Sequence, residues 1–292
     1  MSTTIKALSL AIATMLVLMT SPISLSQQGT SVYEGDWPSW AGSSNASRYS
    51  PLDQITAENV ENLEIAWRWS TQGFGPGTDF VNPSTPLEID GVLYANVGTT
   101  RNVVALDATS GQVLWMYRYD EGTRFDEAPR KGAGRGVSYY NNGEKSRIFD
   151  ISPGYQLVSL DPATGIPDPS FGEDGLVDLY VGVRNGDDPR FAYPDIGISA
   201  PPFIMNDVIV VGAAHRTGGR PRAKLNTKGD IRGFDVHSGE LLWTFHTIPA
   251  RGEYGYESWI SGNDITGNSG VWAAISGDPE LGHVYLPVED PT

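Results

Sequence analysis

The stretch "ALDATSGQVLW" (Ala105–Trp115) returns in altered form as "GFDVHSGELLW" (Gly233–Trp243). In each copy Ser-Gly follows an Asp by three and four residues, and Trp follows that Asp by eight. Asp at a turn accepts backbone N–H bonds, and Gly adopts the left-handed conformation that a tight hairpin needs. Trp then falls on the next strand, where its ring can pack between sheets and its indole N–H can reach a carbonyl. The repeated phrase therefore predicts blade geometry rather than chemistry.

Each copy belongs to a longer unit, Thr85–Trp115 and Pro201–Trp243. In both units a Pro-led strand reaches a turn, a second strand ends in Asp-x-x-Ser-Gly, and a third carries Trp. A weaker copy, "YQLVSLDPATG" (Tyr155–Gly165), keeps Asp, Thr and Gly but has Pro169 at the Trp position. Self-similar units of several strands are typical of a β-propeller. The units are spaced too widely for bare blades, so long inserted loops are predicted as well.

Between these units, short β runs alternate with turn residues. One short helix is expected, with Thr56 as N-cap and Leu63 at its end. The runs Leu63–Thr71 ("LEIAWRWST") and Val271–Ser276 ("VWAAIS") are predicted to be strands. Many short strands without helical periods favour an all-β fold, a β-propeller of four-stranded antiparallel blades.

Composition limits the function classes. The 292 residues include 34 Gly and 20 Pro, too many for a helical bundle, and carry a formal net charge of −15. An acidic chain lacks the basic surface that phosphate contacts require, so no nucleic acid partner is expected. The sequence has no Cys, which excludes disulfides, thiolate metal sites and Cys nucleophiles.

Residues 1–26 have the pattern of a secretory signal peptide. Lys6 gives a positive start, Ala7–Met19 is an apolar run, and "SLS" before Gln27 is a small-x-small cleavage site. The apolar run is shorter than the roughly 20 residues of a membrane span. We expect cleavage and a periplasmic protein in a bacterium; retention of the segment as a membrane anchor is the alternative.

The spacing Ala-x-Asp-x-x-Ser-Gly-x-x-x-Trp resembles the tryptophan-docking motif of the pyrroloquinoline-quinone (PQQ) dehydrogenases. "GRGVSYY" (Gly134–Tyr140), "GEYGYESW" (Gly252–Trp259) and "LGHVYLPV" (Leu281–Val288) resemble further signatures of this family. The resemblance covers nearly all of residues 36–292 and is closest to the membrane-type glucose and related sugar or alcohol branch. It implies an eight-bladed propeller, of which residues 27–292 would supply about four blades. We therefore expect an N-terminal half that needs the remainder of the propeller.

The resemblance also implies a PQQ site. PQQ is a flat ortho-quinone with three carboxylates, so it needs an aromatic plate and cationic partners. Arg135 matches the family arginine that pairs with a PQQ carboxylate, and a guanidinium offers a bidentate fork for this contact. In the family, the tryptophan that Trp272 matches is the plate under the ring, and no Asp-x-x-Ser-Gly precedes Trp272 as in the docking motif. A solvent-exposed loop Arg and an ordinary packing Trp are the alternatives.

Other positions match the family's cofactor environment less specifically. Ser199 is either a hydroxyl contact or a turn residue. His215 and Arg216, after Ala214 in "GAAHRT", are either near the cofactor edge and its carboxylates or in a surface loop. Arg101 falls near a family position at the mouth of the active site. The predicted cofactor contacts of this second group are therefore Arg101, Ser199, Ala214, His215 and Arg216.

The match is weakest at the metal. Ca²⁺ takes six to eight oxygen ligands, usually including carboxylates. Thr217 stands where alcohol-oxidising relatives carry a Glu ligand, and Asp290 stands where they carry an Asn. With Thr292 as a further oxygen donor, we expect a rearranged or weak Ca²⁺ site. The family's general base is an Asp that would lie beyond Thr292, so no catalytic residue is predicted within this sequence.

The resemblance implies a periplasmic oxidoreductase that oxidises an alcohol or sugar hydroxyl with PQQ and passes electrons to a quinone or cytochrome. This sequence alone is expected to be inactive. The alternative is a non-catalytic propeller that acts as an envelope assembly scaffold, like the outer-membrane assembly lipoproteins. Such a scaffold would keep the Trp motif without needing Arg135 or Trp272. It would also carry a lipobox Cys, and this sequence has none.

Overall fold

The structure, a computed structural model, describes residues 35–187, 192–216 and 225–291. The predicted signal peptide at 1–26 lies outside these ranges. Across the described residues, no helix has the length and apolar character to cross a membrane.

The described chain forms three four-stranded sheets and one two-stranded sheet, and within each sheet the strands pair antiparallel in chain order. We name these sheets blades A to D. Blade A contains β1 (Leu87–Ile89), β2 (Val92–Val97), β3 (Asn102–Asp107) and β4 (Val113–Tyr117). Blade B contains β5 (Ser138–Asn141), β6 (Ser146–Ile151), β7 (Gln156–Leu160) and β8 (Leu176–Asp178). Blade C contains β9 (Phe203–Met205), β10 (Val208–Val211), β11 (Ile231–Asp235) and β12 (Leu241–Phe245), and blade D contains β13 (Ser276–Asp278) and β14 (His283–Tyr285). The predicted all-β fold with four-stranded antiparallel blades is confirmed.

Three local predictions are wrong. The helix expected from Thr56 is reduced to a 3₁₀ helix at Val60–Asn62, although the capping contact forms: the side chain of Asn59 accepts the N–H of Thr56 at 2.7 Å. The segment 63–71 forms no strand; its two tryptophans pack on blade A through side chains alone. The last predicted strand begins only at Ser276.

Helical structure also occurs where none was predicted. A short α-helix, α1 (Thr123–Glu127), lies in the loop before β5, and a second 3₁₀ helix spans Tyr256–Trp259. Both lie in connections between blades, so the inserted loops expected from the repeat spacing are partly structured.

Trp115, from the first copy of the repeated phrase, and Trp67, which precedes that copy in the chain, each bond to a turn of the following unit. The indole Nε1 of Trp115, on β4, donates to the carbonyl of Pro162 at 2.8 Å. Trp67 donates in the same way to the carbonyl of Ala108 at 3.1 Å. Each acceptor directly follows a motif Asp, so each Trp packs on the turn of the following unit. The architectural interpretation of the phrase is confirmed.

The motif glycine makes room for the incoming ring. Gly165 has φ +69°, and a Cβ at this position would lie 2.4 Å from the Trp115 ring. A larger residue would suffer both backbone strain and a clash. The Asp and Gly of the phrase therefore shape the turn that receives the tryptophan of the preceding blade.

Replacing Trp115 by alanine is expected to lower the free energy of unfolding by about 3–5 kcal/mol, the range for large aromatic truncations in packed sites. Urea denaturation followed by circular dichroism measures this change. The control is Leu114→Ala on the same strand, whose side chain is 51% exposed; we expect a change within about 0.5 kcal/mol there. Equal losses for the two variants would contradict a docking role.

Blade B replaces its missing tryptophan with two other side chains. Arg147 donates from Nη1 to the carbonyl of Val236 at 3.1 Å, which is again the residue after a motif Asp. The ring of Phe171 fills the space beside Gly239, where a Cβ would lie 3.1 Å from it. The guanidinium of Arg147 thus makes the hydrogen bond that an indole makes at the other interface, and Phe171 supplies the packing. Pro169 occupies the Trp position of this unit.

The main core lies where blades B and C face each other. Its buried residues include Phe149, Leu157, Ile204 and Phe234, together with Phe171. This packing fixes the innermost strands β5 and β9 side by side. The segments that lead into these strands carry the residues predicted for the site.

Candidate functional site

Main-chain hydrogen bonds join the segments that lead into successive blades. Thr85, before β1, donates its N–H to the carbonyl of Arg135 at 3.0 Å. Arg135 in turn donates its N–H to the carbonyl of Ser199 at 2.9 Å. Gly197 and Ala214 exchange two N–H···O bonds of 2.9 and 2.7 Å. Three predicted site residues, from the segment before β5 to the segment after β10, therefore lie in one connected region.

Trp272 joins this region from the segment before β13. A Cβ on Gly270 would lie 2.0 Å from the carbonyl oxygen of Ala213, and a Cβ on Gly212 would lie 2.3 Å from that of Val271. Only glycine permits this approach of the two backbones. The close packing explains how the small residues around Trp272 place its ring near the other segments.

Arg135 and Trp272 face each other. The guanidinium carbon of Arg135 lies 4.8 Å from the centre of a Trp272 ring, within cation–π range. Trp272 remains 40% exposed, whereas docking Trp115 is partly buried. The two residues predicted as cation and plate thus form one surface, although 137 positions separate them in the sequence.

His215 is buried and turned towards the protein. Its Nε2 lies 2.9 Å from the carbonyl of Thr227, to which a neutral imidazole donates. Burial lowers the pKa of His215 below its ordinary value near 6.5, although the bond to Thr227 opposes this shift. His215 is therefore uncharged at neutral pH and offers no cation to a carboxylate. Its predicted contact through the backbone remains a prediction.

Arg216 and Arg101 differ in accessibility. Arg216 is partly exposed, and its Nη2 lies 3.5 Å from Oδ1 of Asp195. Arg101 is only 1% exposed and donates to four main-chain carbonyls, so it does not lie at an open mouth. The predicted cofactor contacts of Arg101, Ser199 and Arg216 remain predictions, and for Arg101 the geometry favours a different role.

Sequence reasoning missed Asn268. This buried side chain accepts the N–H of His215 at 3.3 Å and donates to the carbonyl of Asp290 at 3.3 Å. Asn268 and Ser269 both have φ +55°, a conformation that Asn tolerates better than most residues. The turn-rich "GNSG" before Trp272 was the available signal. Asn268 fixes the backbone from which Trp272 projects.

Arg130 and Glu289 were also missed. Burial lowers the pKa of Arg130, and the nearby carboxylate of Glu289 opposes that shift. Glu289 is held in place by its N–H, which donates to the carbonyl of Gly270 at 2.9 Å. The loop of Arg135 therefore carries a second, half-buried guanidinium with an acidic neighbour. Nothing in the local sequence pattern distinguished Arg130 from a solvent-exposed loop residue.

The metal prediction is not tested by the described residues. Among them, no three His, Asp or Glu side chains cluster as a metal site would require. Asp290 is exposed, and its carbonyl accepts the bond from Asn268. Thr217 and Thr292 lie outside the described residues. A Ca²⁺ site therefore remains a prediction.

A separate cavity of about 190 Å³ lies between the segment 38–46 and the innermost strands β5 and β9. Its wall includes Trp40, Tyr139 and Phe203, and none of its lining residues is charged. A tricarboxylate would lose its hydration there without gaining a cation. The surface of Arg135 and Trp272 suits such a ligand better than this cavity does.

The blades define a β-propeller, and Arg135 and Trp272 form a cationic–aromatic surface on it. The family model of the PQQ glucose/ethanol/alcohol dehydrogenase β-propeller domain matches residues 37–292. The chain belongs to this family of PQQ-dependent dehydrogenases.

Two similar proteins agree with this assignment. The glycerol dehydrogenase large subunit of Gluconobacter oxydans (strain 621H) is 29% identical over 273 residues, which cover 89% of this chain and 35% of the relative. The quinoprotein glucose dehydrogenase of Escherichia coli (strain K12) is 31% identical over 281 residues, which cover 88% of this chain and 32% of the relative. The chain thus spans about a third of the length of these relatives. These similarities favour an oxidoreductase over a scaffold protein.

Solved structures support the fold. The quinohemoprotein alcohol dehydrogenase ADHIIG from Pseudomonas putida HK5 matches with a TM-score of 0.67 and 25% identity, over 89% of this chain and 35% of that protein. The quinohemoprotein alcohol dehydrogenase from Comamonas testosteroni matches with a TM-score of 0.65 and 21% identity, over 88% and 36%.

Proposed function

We propose that this chain supplies PQQ-binding residues of a quinoprotein oxidoreductase that oxidises an alcohol or sugar hydroxyl. The observation that supports this most directly is the guanidinium of Arg135 over the partly exposed ring of Trp272. Trp67 and Trp115 each bond a carbonyl of the next unit. The ring of Trp272 instead contacts the guanidinium of Arg135, which lies in the segment that leads into blade B.

The residues present fit the chemical character of PQQ. An indole face accepts a flat conjugated ring, and a guanidinium pairs with a carboxylate through parallel N–H bonds. Trp272 would lie against the ring of PQQ, and Arg135 would hold one of its carboxylates. PQQ supplies the quinone that takes up two electrons from the substrate. The protein's part is to bind this group and fix its orientation.

The substrate, the electron acceptor, the second cofactor and the location are proposed for the whole protein. The names of the relatives support a polyol, sugar or alcohol as substrate. A quinone or cytochrome as electron acceptor and Ca²⁺ as second cofactor follow from the family resemblance. The pattern of residues 1–26 supports export to the periplasm, with a retained membrane anchor as the alternative.

PQQ titration tests the proposal. The purified whole protein that contains this chain is dialysed to equilibrium against PQQ with and without Ca²⁺, and bound PQQ is measured by absorbance. We expect saturable binding of one PQQ per chain. Benzene-1,3,5-tricarboxylate serves as a competitor with the same number of carboxylates on a smaller ring, and it should compete weakly.

A scaffold protein gives the opposite result. It would keep its docking tryptophans and its fold but bind no PQQ at any accessible concentration. Absence of saturable binding by folded protein, with and without Ca²⁺, would therefore contradict the proposed function.

A further inference from the structure

Arg101 lies at a junction of three blades. It belongs to the turn between β2 and β3 of blade A and adopts φ +57°. Its side chain crosses to the loop before β5, where Nε donates to the carbonyl of Gly132 at 3.2 Å and Nη2 donates to that of Arg130 at 2.6 Å. Two of its hydrogen bonds therefore go to the loop that ends at Arg135.

The remaining bonds reach blades B and C. Nη1 donates to the carbonyl of Ile151, at the end of β6, at 2.9 Å and to that of Ile198 at 2.7 Å. Ile198 directly precedes Ser199, whose carbonyl accepts the N–H of Arg135 at 2.9 Å. Arg101 thus holds both the loop of Arg135 and the 198–199 segment to which Arg135 is bonded.

The loop is fitted closely around this side chain. A Cβ on Gly134, which has φ +76°, would lie 2.9 Å from Nε of Arg101. The same turn of blade A also accepts the N–H of Gly132 through the carbonyl of Thr99 at 3.2 Å. Contacts with Arg101 and its turn therefore determine the conformation of the backbone immediately before Arg135.

The buried charge of Arg101 has a counterpart. Asp150 precedes Ile151 and is 1% exposed, and its Oδ2 accepts the hydroxyl of Tyr119 at 2.8 Å. Its carboxylate favours the charged guanidinium electrostatically. A buried cation with four carbonyl acceptors and a nearby carboxylate is well satisfied without any ligand, so Arg101 has another role than cofactor contact.

We propose that Arg101 is a positioning residue for the PQQ surface: it fixes the 130–135 loop and the 198–199 segment so that the guanidinium of Arg135 is held over Trp272. This inference rests on the proposed function for its ligand, but the order of the loop is measurable without PQQ. Lysine cannot replace Arg101 fully, because one ammonium nitrogen cannot reach four carbonyls that lie in different directions.

Limited trypsin digestion gives the first readout. The loop contains three trypsin sites, at Arg130, Lys131 and Arg135. Cleavage by trypsin follows the population in which the loop is open. We expect Arg101→Met and Arg101→Lys to raise the cleavage rate at these sites roughly tenfold or more, because local opening becomes easier. Mass spectrometry of the fragments identifies the sites.

PQQ affinity gives the second readout, by equilibrium dialysis. We expect both variants to bind PQQ roughly 10- to 100-fold more weakly, the range seen when groups that orient a binding residue are removed. If Arg101→Met folds poorly, Arg101→Lys retains the positive charge, and Arg101→Met combined with Asp150→Asn leaves no uncompensated carboxylate.

Arg232→Met is the matched control. Arg232 is also buried, and its guanidinium donates to the carbonyls of Leu179 at 2.6 Å and Val181 at 3.0 Å, outside the 130–135 loop. We expect no new loop cleavage and no change in PQQ affinity of the folded protein. Equal effects of the Arg101 and Arg232 variants, or wild-type behaviour of Arg101→Lys, would overturn the inference.

The two proposals fail separately. Wild-type protein that binds no PQQ contradicts the proposed function, and the digestion still reports on the loop. Wild-type protein that binds PQQ, with unchanged affinity in the Arg101 variants, contradicts the positioning role alone.

Discussion

Trp272→Ala is expected to weaken PQQ binding roughly 5- to 150-fold, because stacking a flat ring on an aromatic side chain contributes about 1–3 kcal/mol. The ring of Trp272 is 40% exposed and carries no docking bond to a neighbouring turn among the contacts described. Its truncation should therefore change the unfolding free energy by about 1 kcal/mol or less. Equilibrium dialysis and urea denaturation measure the two effects on the same protein.

Two variants sharpen this test. Trp272→Phe keeps an aromatic face and should retain most of the affinity. Trp243→Ala removes an indole of similar exposure, 38%, from strand β12. Trp243 belongs to the repeated phrase, so its loss should leave PQQ affinity unchanged. A drop in PQQ affinity for Trp243→Ala equal to that for Trp272→Ala would contradict a specific plate.

Arg135, which contacts Trp272, is expected to contribute to the same binding. Arg135→Ala should also weaken PQQ binding, since hydrogen bonds to charged groups contribute about 1.5–3 kcal/mol. Arg135 and Trp272 contact each other, so the double variant should lose less than the two single losses together. Strictly additive losses would show that the cation and the ring act on PQQ independently.

The fold was predictable because its signal is local and repeated. Asp, Ser and Gly define a turn at fixed spacing, and Trp115 finds its acceptor at Pro162 for the same reason that Trp67 finds Ala108. The failures occurred where tertiary contacts replace local pairing. The segment 63–71 reads as a strand, yet it contacts blade A through its tryptophan side chains rather than through a backbone ladder.

The site was only partly predictable. Arg135 and Trp272 were found because each matches a position of the family resemblance, and the structure brings them together. Asn268 and Arg130 were missed, because their importance comes from neighbours distant in sequence. Arg101 was noticed for its position, but its four carbonyl partners come from three segments that no local pattern connects.

At the interface between blades B and C, the docking hydrogen bond is made by a residue that the motif spacing does not identify. Pro169 occupies the Trp position, yet the carbonyl after the motif Asp still has a donor, Arg147. Arg147 is buried and is fixed by Asp168, with Nε 2.8 Å from Oδ2. Lys145 reaches the same oxygen at 2.6 Å. An ion-pair cluster thus orients the guanidinium that replaces an indole.

Replacing Arg147 by methionine is expected to lower the free energy of unfolding by about 3–5 kcal/mol, since it removes one member of a buried ion pair. It leaves Asp168 largely desolvated and also removes the donor to Val236. Urea denaturation at pH 7 measures the loss. The double variant Arg147→Met with Asp168→Leu should recover part of it, because it removes a largely buried carboxylate that would otherwise keep only the exposed Lys145 as an ionic partner.

The same cluster predicts a pH dependence. Burial alone would raise the pKa of Asp168, but the bonds from Lys145, Ser170 and Arg147 outweigh it and hold that pKa well below the usual 3.8. A carboxyl whose pKa is lower in the folded than in the unfolded state stabilises the fold above the unfolded-state pKa, and this contribution is lost as pH falls. The unfolding free energy of the wild type should therefore decline as pH drops below about 5 and through 3.8, and Asp168→Asn should flatten that decline. Either of two results would show that Phe171 alone fills the role of the missing tryptophan. The first is an identical pH profile for the wild type and Asp168→Asn. The second is a loss of less than about 1 kcal/mol for Arg147→Met.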